Sequence, residues 1–201
     1  MNTKLVDRFH SNTSDYIILR YKDEEIAELI RNGKPGQCLK IEDNYYAISS
    51  VNDDTFDVMT KIDSYISNIV SPFIDNQLYG QGFQKLDCEN AVVLSIGTGA
   101  GLGCFLTEWR KNNGYHHTHF TAFTRGNTPI DQRISSLGNH WNTKINPRPF
   151  TALYTVDIQE LHPIDSKTKV FPIGSSAFIQ HVKNIMKNDY NMNDDCVITN
   201  Y

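Results

Sequence analysis

The stretch from Ala91 to Leu106 restricts the fold of this chain more than any other part of the sequence. It opens on a mostly apolar run, residues 92–96, and continues into glycines at every second position from Gly97 to Gly103. Such a run is typical of a strand buried on both faces of a parallel sheet. The spacing of Phe105, Leu106 and Trp109 predicts a helix over residues 104–111. The pattern therefore predicts a strand, a glycine-rich turn and a helix.

The glycine-rich turn is a candidate phosphate-binding site. Its glycines, Gly97, Gly99, Gly101 and Gly103, lack the Cβ atoms that would keep a ligand away from the backbone. Free amide groups at the start of a helix attract a pyrophosphate. Because the spacing matches neither the common Gly-x-Gly-x-x-Gly motif nor a P-loop, a turn without a ligand stays open as the alternative.

The composition is that of an ordinary globular protein. The chain has 201 residues, with 39% hydrophobic and 21% charged, and a net charge of −4. This length suits one large or two small domains, and the charge gives no reason to expect nucleic acid. We expect no membrane span and a cytoplasmic protein, because no apolar stretch reaches about 18 residues and no signal region opens the sequence.

No metal site is predicted. The cysteines, Cys38, Cys88, Cys104 and Cys196, are spread along the chain without a close pair, so separate thiols are expected. Histidines at positions 116, 117 and 119 lie together, but no carboxylate or cysteine adjoins them. A polar loop that leads into a strand is the favoured interpretation of these histidines.

The two halves of the chain predict two kinds of sheet. In the first half, strands are predicted over residues 5–9, 16–21, 37–41, 45–51 and 55–62, and helices over 24–31 and 64–73. Short strands joined by polar turns favour a small antiparallel barrel. In the second half, strands are predicted over 117–123, 151–156, 169–173 and 196–199, and a helix over 177–186. Alternating strands and helices indicate a parallel sheet, which binds ligands beyond the carboxyl ends of its strands.

Several local motifs resemble one family. The runs Lys34-Pro35-Gly36-Gln37, Asn44-Tyr45-Tyr46-Ala47-Ile48-Ser49-Ser50, Gly80-Gln81-Gly82-Phe83 and Gly97-Thr98-Gly99 stand in the order in which similar motifs occur in the ferredoxin-NADP reductase family. The resemblance implies an antiparallel FAD-binding barrel over residues 1–88. It implies an α/β parallel-sheet NAD(P)-binding domain over residues 89–201.

The resemblance also implies a set of flavin-binding residues. They are Tyr46, Ala47, Ile48, Ser50, Lys61 and Ser67, with Ser67 at the flavin phosphate and Tyr46 packed on the ring. Asn44 stands where the family has the arginine that holds the phosphate, and Ala47 replaces a serine. The loss of a bidentate cation is expected to weaken flavin binding. For Tyr45 and Tyr46, the alternative is a strand pair with one ring in the core and one on the surface.

On the nucleotide side, the resemblance assigns three groups of residues. Gly97, Thr98, Gly99, Ala100 and Gly101 would hold the pyrophosphate of NADP(H), and Thr124, Arg125 and Arg133 its 2′-phosphate. Gly174, Ser175 and Ser176 would lie beside the nicotinamide, and Tyr201 would cover the flavin, so Ser175 and Tyr201 are the catalytic candidates. Leu102 and Ile173 depart from the family, which has Pro and Cys there. Two solvated arginines and a frayed terminus are the alternatives.

The resemblance implies hydride transfer between NADPH and flavin, with electrons then passed singly to a small carrier such as ferredoxin or flavodoxin. Two other hypotheses stay open. One is a non-catalytic descendant of the fold that binds a partner or a nucleotide without flavin, which the departures at Asn44, Leu102 and Ile173 favour. The other keeps catalysis but treats flavin as a loosely held substrate.

Overall fold

The first half of the chain forms an antiparallel sheet, with seven strands among the described residues. The structure, a computed structural model, describes residues 3–68, 73–74, 77–142 and 164–200. The strands are β1 (Thr3–Phe9), β2 (Tyr16–Lys22), β3 (Cys38–Ile41), β4 (Asn44–Val51), β5 (Thr55–Lys61), β6 (Phe73–Ile74) and β7 (Gln77–Tyr79), in the order β6-β1-β2-β5-β4-β3-β7. Helix α1 (Glu24–Asn32) begins where the Asp23 side chain accepts a hydrogen bond from the Ile26 amide.

The two faces of β2 serve two different cores. Ile17 and Leu19 pack inside the first sheet together with Val58, whereas Tyr16 and Ile18 pack in a core shared with the second half of the chain. Successive side chains of a strand point to opposite faces. Because β2 is apolar on both faces, each face is buried in a different core. This pattern joins the two halves of the chain through one wall of the first sheet.

The second half of the chain forms a parallel sheet of four described strands. They are β8 (Ala91–Ile96), β9 (Thr118–Thr124), β10 (Asn139–Asn142) and β11 (Lys169–Ile173), in the order β10-β9-β8-β11. The helices are α2 (Gly99–Asn112), α3 (Asp131–Leu137) and α4 (Ser176–Asn188). Leu106 of α2 and Ile134 of α3 pack with Val93 on the side of the first sheet. Phe178 of α4 packs with Val92 on the opposite side, so the sheet has helices on both faces.

Several predicted boundaries are wrong. Helix α2 begins at Gly99 instead of residue 104, since the glycines predicted as a turn form its first helical turns. The predicted helix over 64–73 is a 3₁₀ turn at Ile66–Asn68, and the predicted strand over 196–199 is a 3₁₀ turn at Asp194–Cys196 followed by one bridge between Val170 and Val197. Helix α3 and strand β10 were not predicted. The strand predicted over 151–156 lies outside the described residues.

A buried arginine fixes the chain where it enters the parallel sheet. Arg110 of α2 is fully buried and donates hydrogen bonds to the Leu86 carbonyl (2.5 Å), the Cys88 carbonyl (2.7 Å) and the Thr118 hydroxyl (2.9 Å). Burial lowers the pKa of Arg110, and its hydrogen-bond partners are neutral groups. The segment before β8 is therefore clamped to the helix that follows β8.

Two further findings concern the described residues only. None of their helices combines the length and the apolar composition that crossing a membrane requires. Nor do their His, Cys, Asp and Glu side chains form a group of three or more that could hold a metal ion.

Candidate functional site

The turns that follow β8, β9 and β11 meet at the carboxyl edge of the parallel sheet. The Gly97 amide donates a hydrogen bond to the Phe123 carbonyl at 2.8 Å, which joins the first two turns. A Cβ atom on Gly174 would lie 2.2 Å from Cγ2 of Ile96, and one on Gly99 would lie 2.8 Å from the Ile173 carbonyl oxygen. The glycines at 97, 99 and 174 therefore come together at the edge where such sheets bind ligands.

The start of α2 leaves backbone donors at this edge. Gly97 has a φ of +59°, a conformation that favours glycine, and it turns the chain from β8 into the helix. The amides of Ala100 and Gly101 bond to the carbonyls of Gly97 and Thr98. The amides of Thr98 and Gly99 precede them and have no intrahelical partner. The Thr98 side chain makes no capping bond, so the helix start carries the donors that an anion requires.

Helix α4 begins at the same edge. The Ser175 side chain caps it by accepting a hydrogen bond from the Phe178 amide at 3.3 Å. Gly174, Ser175 and Ser176 are all exposed. Two helix starts and two serine hydroxyls therefore face the same region of the surface.

Two glycines of the predicted phosphate-binding turn, Gly101 and Gly103, allow close packing between elements. A Cβ on Gly101 would lie 2.6 Å from the Cβ of Ser49, and one on Gly103 would lie 2.6 Å from the Phe120 ring. Gly101 lets α2 approach the first sheet, and Gly103 lets it approach β9. These glycines serve packing between elements, whereas the sequence analysis had explained them by access for a ligand.

Arg125 is the exposed cation of the site. It follows β9 directly, and within the described part of the chain its guanidinium has no hydrogen bond or ion pair. Thr124, also predicted at the 2′-phosphate, is buried instead: its hydroxyl donates to the Gly126 carbonyl at 2.7 Å and lies 2.8 Å from Nε2 of His140. Thr124 therefore shapes the loop from within, and Arg125 faces solvent.

The Arg133 guanidinium is bonded to other residues of the protein. Its Nε and Nη2 donate to the two carboxylate oxygens of Glu108 at 2.7 and 2.5 Å, and its Nη1 donates to the Ser49 carbonyl at 2.9 Å. Burial acts to lower the pKa of Arg133, but Glu108 outweighs it and the pKa is raised. Arg133 ties α3 to α2 and to β4, so we no longer count it as a phosphate ligand. The sequence held no sign of Glu108 as its partner.

Strand β4 turns its predicted flavin residues in two directions. Ile48 is fully buried in the core of the first sheet and Tyr46 packs against that core, whereas Ala47 packs toward the second half of the chain. Burial raises the pKa of Tyr46, against a hydrogen bond with the Ile66 backbone. Tyr45 is exposed and its ring lies 5.0 Å from the ring of Tyr79. The tyrosine pair thus has one ring against the core and one on the surface, the alternative stated above.

The hydroxyl groups assigned to flavin already have protein partners. Ser50 donates to Asp57 at 2.7 Å, and Asp57 also accepts two hydrogen bonds from Arg20, at 2.8 and 2.9 Å. Ser67 donates to the Ser64 carbonyl at 2.7 Å. The Arg20–Asp57 pair was not predicted, although two opposite charges in neighbouring predicted strands are a detectable signal.

These residues do not form a ready phosphate site for a tightly held flavin. Asn44 is exposed and carries no charge. Lys61 is exposed at the end of β5. Tyr201, the predicted aromatic cover, lies outside the described residues.

Comparison with solved structures identifies the fold. No protein-family model matches the chain, and no curated protein matches it. The flavohem-like FAD/NAD-binding domain of nitric oxide dioxygenase from Vibrio cholerae aligns with a TM-score of 0.71 and 12% identity, over 98% of this chain and 96% of that one. Ferredoxin-NADP⁺ reductase from Plasmodium falciparum gives 0.66 and 12%, over 98% and 94%. The siderophore-interacting protein of Aeromonas hydrophila gives 0.63 and 8%, over 98% and 94%.

The chain therefore has the ferredoxin reductase-like fold, a first antiparallel sheet followed by a parallel α/β sheet, as the sequence motifs implied. At 8–13% identity across the solved structures, the likeness establishes the fold alone.

Proposed function

We propose that this protein is an NAD(P)H-dependent flavin oxidoreductase that binds its nucleotide at the carboxyl edge of the parallel sheet. The observation that carries the proposal is the meeting of three glycine-containing turns beside Arg125, an exposed cation without a partner among the described residues. A guanidinium past a strand end suits a phosphate dianion. In this proposal residues 1–88 are the flavin side and residues 89–201 the nucleotide side.

The nucleotide side assigns a role to each turn. Thr98 and Gly99 would hold the pyrophosphate through their backbone amides and the Thr98 hydroxyl, at the turn that Gly97 makes, and Arg125 would bind the 2′-phosphate of NADPH. Ser175 and Ser176 would hydrogen-bond the nicotinamide end. The bound nucleotide supplies the hydride, and the protein supplies alignment and electrostatics.

On the flavin side we propose an exchangeable FAD in place of a resident one. Asn44 provides no charge where the resembling family has an arginine, and Ser50 is bonded to Asp57. A flavin taken up, reduced and released needs fewer fixed contacts than a resident cofactor. Tyr201 would cover its ring, and a small carrier protein such as ferredoxin or flavodoxin would receive the electrons.

The second candidate function is nucleotide or partner binding without flavin chemistry. The specific observation in its favour is that Ile48 is buried in the core of the first sheet and that Tyr46 packs against this core. In this case the carboxyl edge still binds a nucleotide, but no flavin is reduced.

The deciding experiment is an absorption spectrum of the purified protein with and without added FAD, followed by anaerobic addition of NADPH. We expect a nearly colourless protein that accelerates the bleaching of added FAD. A tightly retained flavin band would contradict exchangeable binding. NADPH binding without bleaching would support the second candidate, and neither binding nor bleaching would remove both.

The role of Arg125 has its own test. In Arg125→Ala the KM for NADPH is expected to rise about tenfold with little change for NADH, because one charged hydrogen-bonding group is lost. Lys187→Ala is the matched control, since it removes an exposed cation from the far end of α4. Equal effects on both nucleotides would refute the assignment.

A further inference from the structure

The loop that carries Arg125 is held in place by residues of the first domain, the flavin side over residues 1–88. The Arg125 amide donates a hydrogen bond to the Tyr16 hydroxyl at 3.2 Å. Two residues further on, the Asn127 carbonyl accepts a hydrogen bond from the Ser14 hydroxyl at 2.8 Å, and Ser14 and Asn127 form a single parallel bridge. Both ends of a short loop in the second domain are therefore bonded to the start of β2.

Tyr16 also lies near the glycine turn that follows β8. Its side chain is 3% exposed, and its hydroxyl oxygen lies 3.9 Å from where a Cβ on Gly97 would stand. One hydroxyl from the first domain thus lies between the turn assigned to the pyrophosphate and the loop assigned to the 2′-phosphate. The ribose that links the two phosphates limits the distance between them, so the spacing of these two turns matters for recognition.

The second domain holds the same loop from its other side. The Asn142 side chain donates to the Asn127 side chain at 2.9 Å, and both the amide and the hydroxyl of Thr128 donate to Asp131 at 2.8 Å. The backbone of residues 125–128 is therefore bonded on two sides, while the Arg125 side chain stays exposed. A fixed backbone lowers the entropy that an arginine loses when it binds a phosphate.

We infer that Tyr16 and Ser14 are positioning residues that set the selectivity for a 2′-phosphorylated nucleotide by holding the Arg125 loop. The inference rests on the proposed nucleotide site but adds residues from the opposite domain, which do not touch the ligand. It assigns part of the nucleotide selectivity to the first domain.

The test measures binding by calorimetry with two probes, adenosine 2′,5′-bisphosphate and adenosine 5′-monophosphate, which differ in the 2′-phosphate. In Tyr16→Phe the affinity for the bisphosphate is expected to fall about fivefold, the order expected for one hydrogen bond, with the monophosphate unchanged. Tyr21→Phe is the matched control. It removes a hydroxyl from an equally buried tyrosine of the same strand that packs inside the first sheet.

Two further variants separate positioning from general damage. Ser14→Ala is expected to weaken the bisphosphate selectively as well, because it releases the Asn127 end of the loop. In an Arg125→Ala background, Tyr16→Phe should have no further effect, since a positioning residue acts only through the group it positions. Melting temperatures of all variants identify any that fail to fold.

The outcomes distinguish the positioning role of Tyr16 and Ser14 from the assignment of Arg125 to the 2′-phosphate. Selective and non-additive losses support the inference. If the native protein prefers the bisphosphate and Arg125→Ala removes that preference, but Tyr16→Phe and Ser14→Ala leave it intact, the inference alone is overturned. If the native protein does not distinguish the probes, the 2′-phosphate assignment fails and the inference fails with it.

Discussion

The carboxyl edge of the parallel sheet and strand β4 both carry residues assigned to ligands, but their side chains are used in opposite ways. At the carboxyl edge, the side chains of Arg125 and Ser176 are exposed and have no partner among the described residues, and the Thr98 and Gly99 amides have no intrahelical partner. On β4, Ser50 is bonded to Asp57 and Ile48 is buried. A site for a ligand needs groups that the protein has left unsatisfied, and the carboxyl edge has such groups, whereas those of β4 are largely satisfied within the protein.

The largest expected effect tests the hydrogen bonds of Arg110, which fix the segment before β8 to α2. Arg110→Met leaves the carbonyls of Leu86 and Cys88 without their buried donor, and we expect a loss of about 4 kcal/mol in the free energy of unfolding. Urea denaturation measures it. Arg31→Met is the matched control, because Arg31 also donates to two carbonyls but does so at the surface. Similar losses in both variants would contradict the role of burial.

The next effect concerns the contact between α2 and β4. Gly101→Ala adds a Cβ 2.6 Å from that of Ser49, and overpacking of this kind is expected to cost about 2 kcal/mol. Alanine at an open helix position would instead stabilise by about 1 kcal/mol, so the sign of the change in a denaturation curve is decisive. Adding Ser49→Gly removes the obstructing Cβ and should restore part of the loss.

The third prediction concerns the affinity of β4 for FAD, which a new cation on this strand should raise. Asn44→Arg supplies a cation at the exposed start of β4 and is expected to tighten FAD binding about tenfold, as measured by fluorescence quenching on titration. Asn112→Arg makes the same replacement at the exposed end of α2 and should have no effect. An unchanged affinity in Asn44→Arg would mean that the missing cation does not limit flavin binding, and would favour the non-catalytic alternative.

The smallest effect is a pH dependence. Burial lowers the pKa of His140, with Asp131 acting in the opposite direction. As the pH falls through about 6.5, the unfolded chain takes up a proton that folded His140 does not, so stability is lost until the folded pKa is reached. In His140→Gln this part of the pH–stability curve should be flatter. A pH–stability curve unaltered by His140→Gln would refute the contribution of His140 to the pH dependence of stability.

The sequence predicted elements better than it predicted side-chain use. The strand at residues 169–173 and the strand before the glycines follow from runs of apolar residues, and the structure has both. The start of α2 was misplaced because glycines, which favour turns in isolation, were here selected for close packing against Ser49 and Phe120. Helix α3 was missed because its seven residues carry only one buried side chain.

What the sequence determined by itself is the two-sheet architecture and the position of the glycine turn at a strand end, because strand patterns and βα turns depend on neighbours along the chain. The tertiary structure decided which polar residues are free. Arg125 and Arg133 are indistinguishable in sequence, but Arg133 meets Glu108 and the Ser49 carbonyl, whereas Arg125 meets solvent. A side chain is available to a ligand only if no distant residue satisfies it first, and only the folded chain brings such residues together.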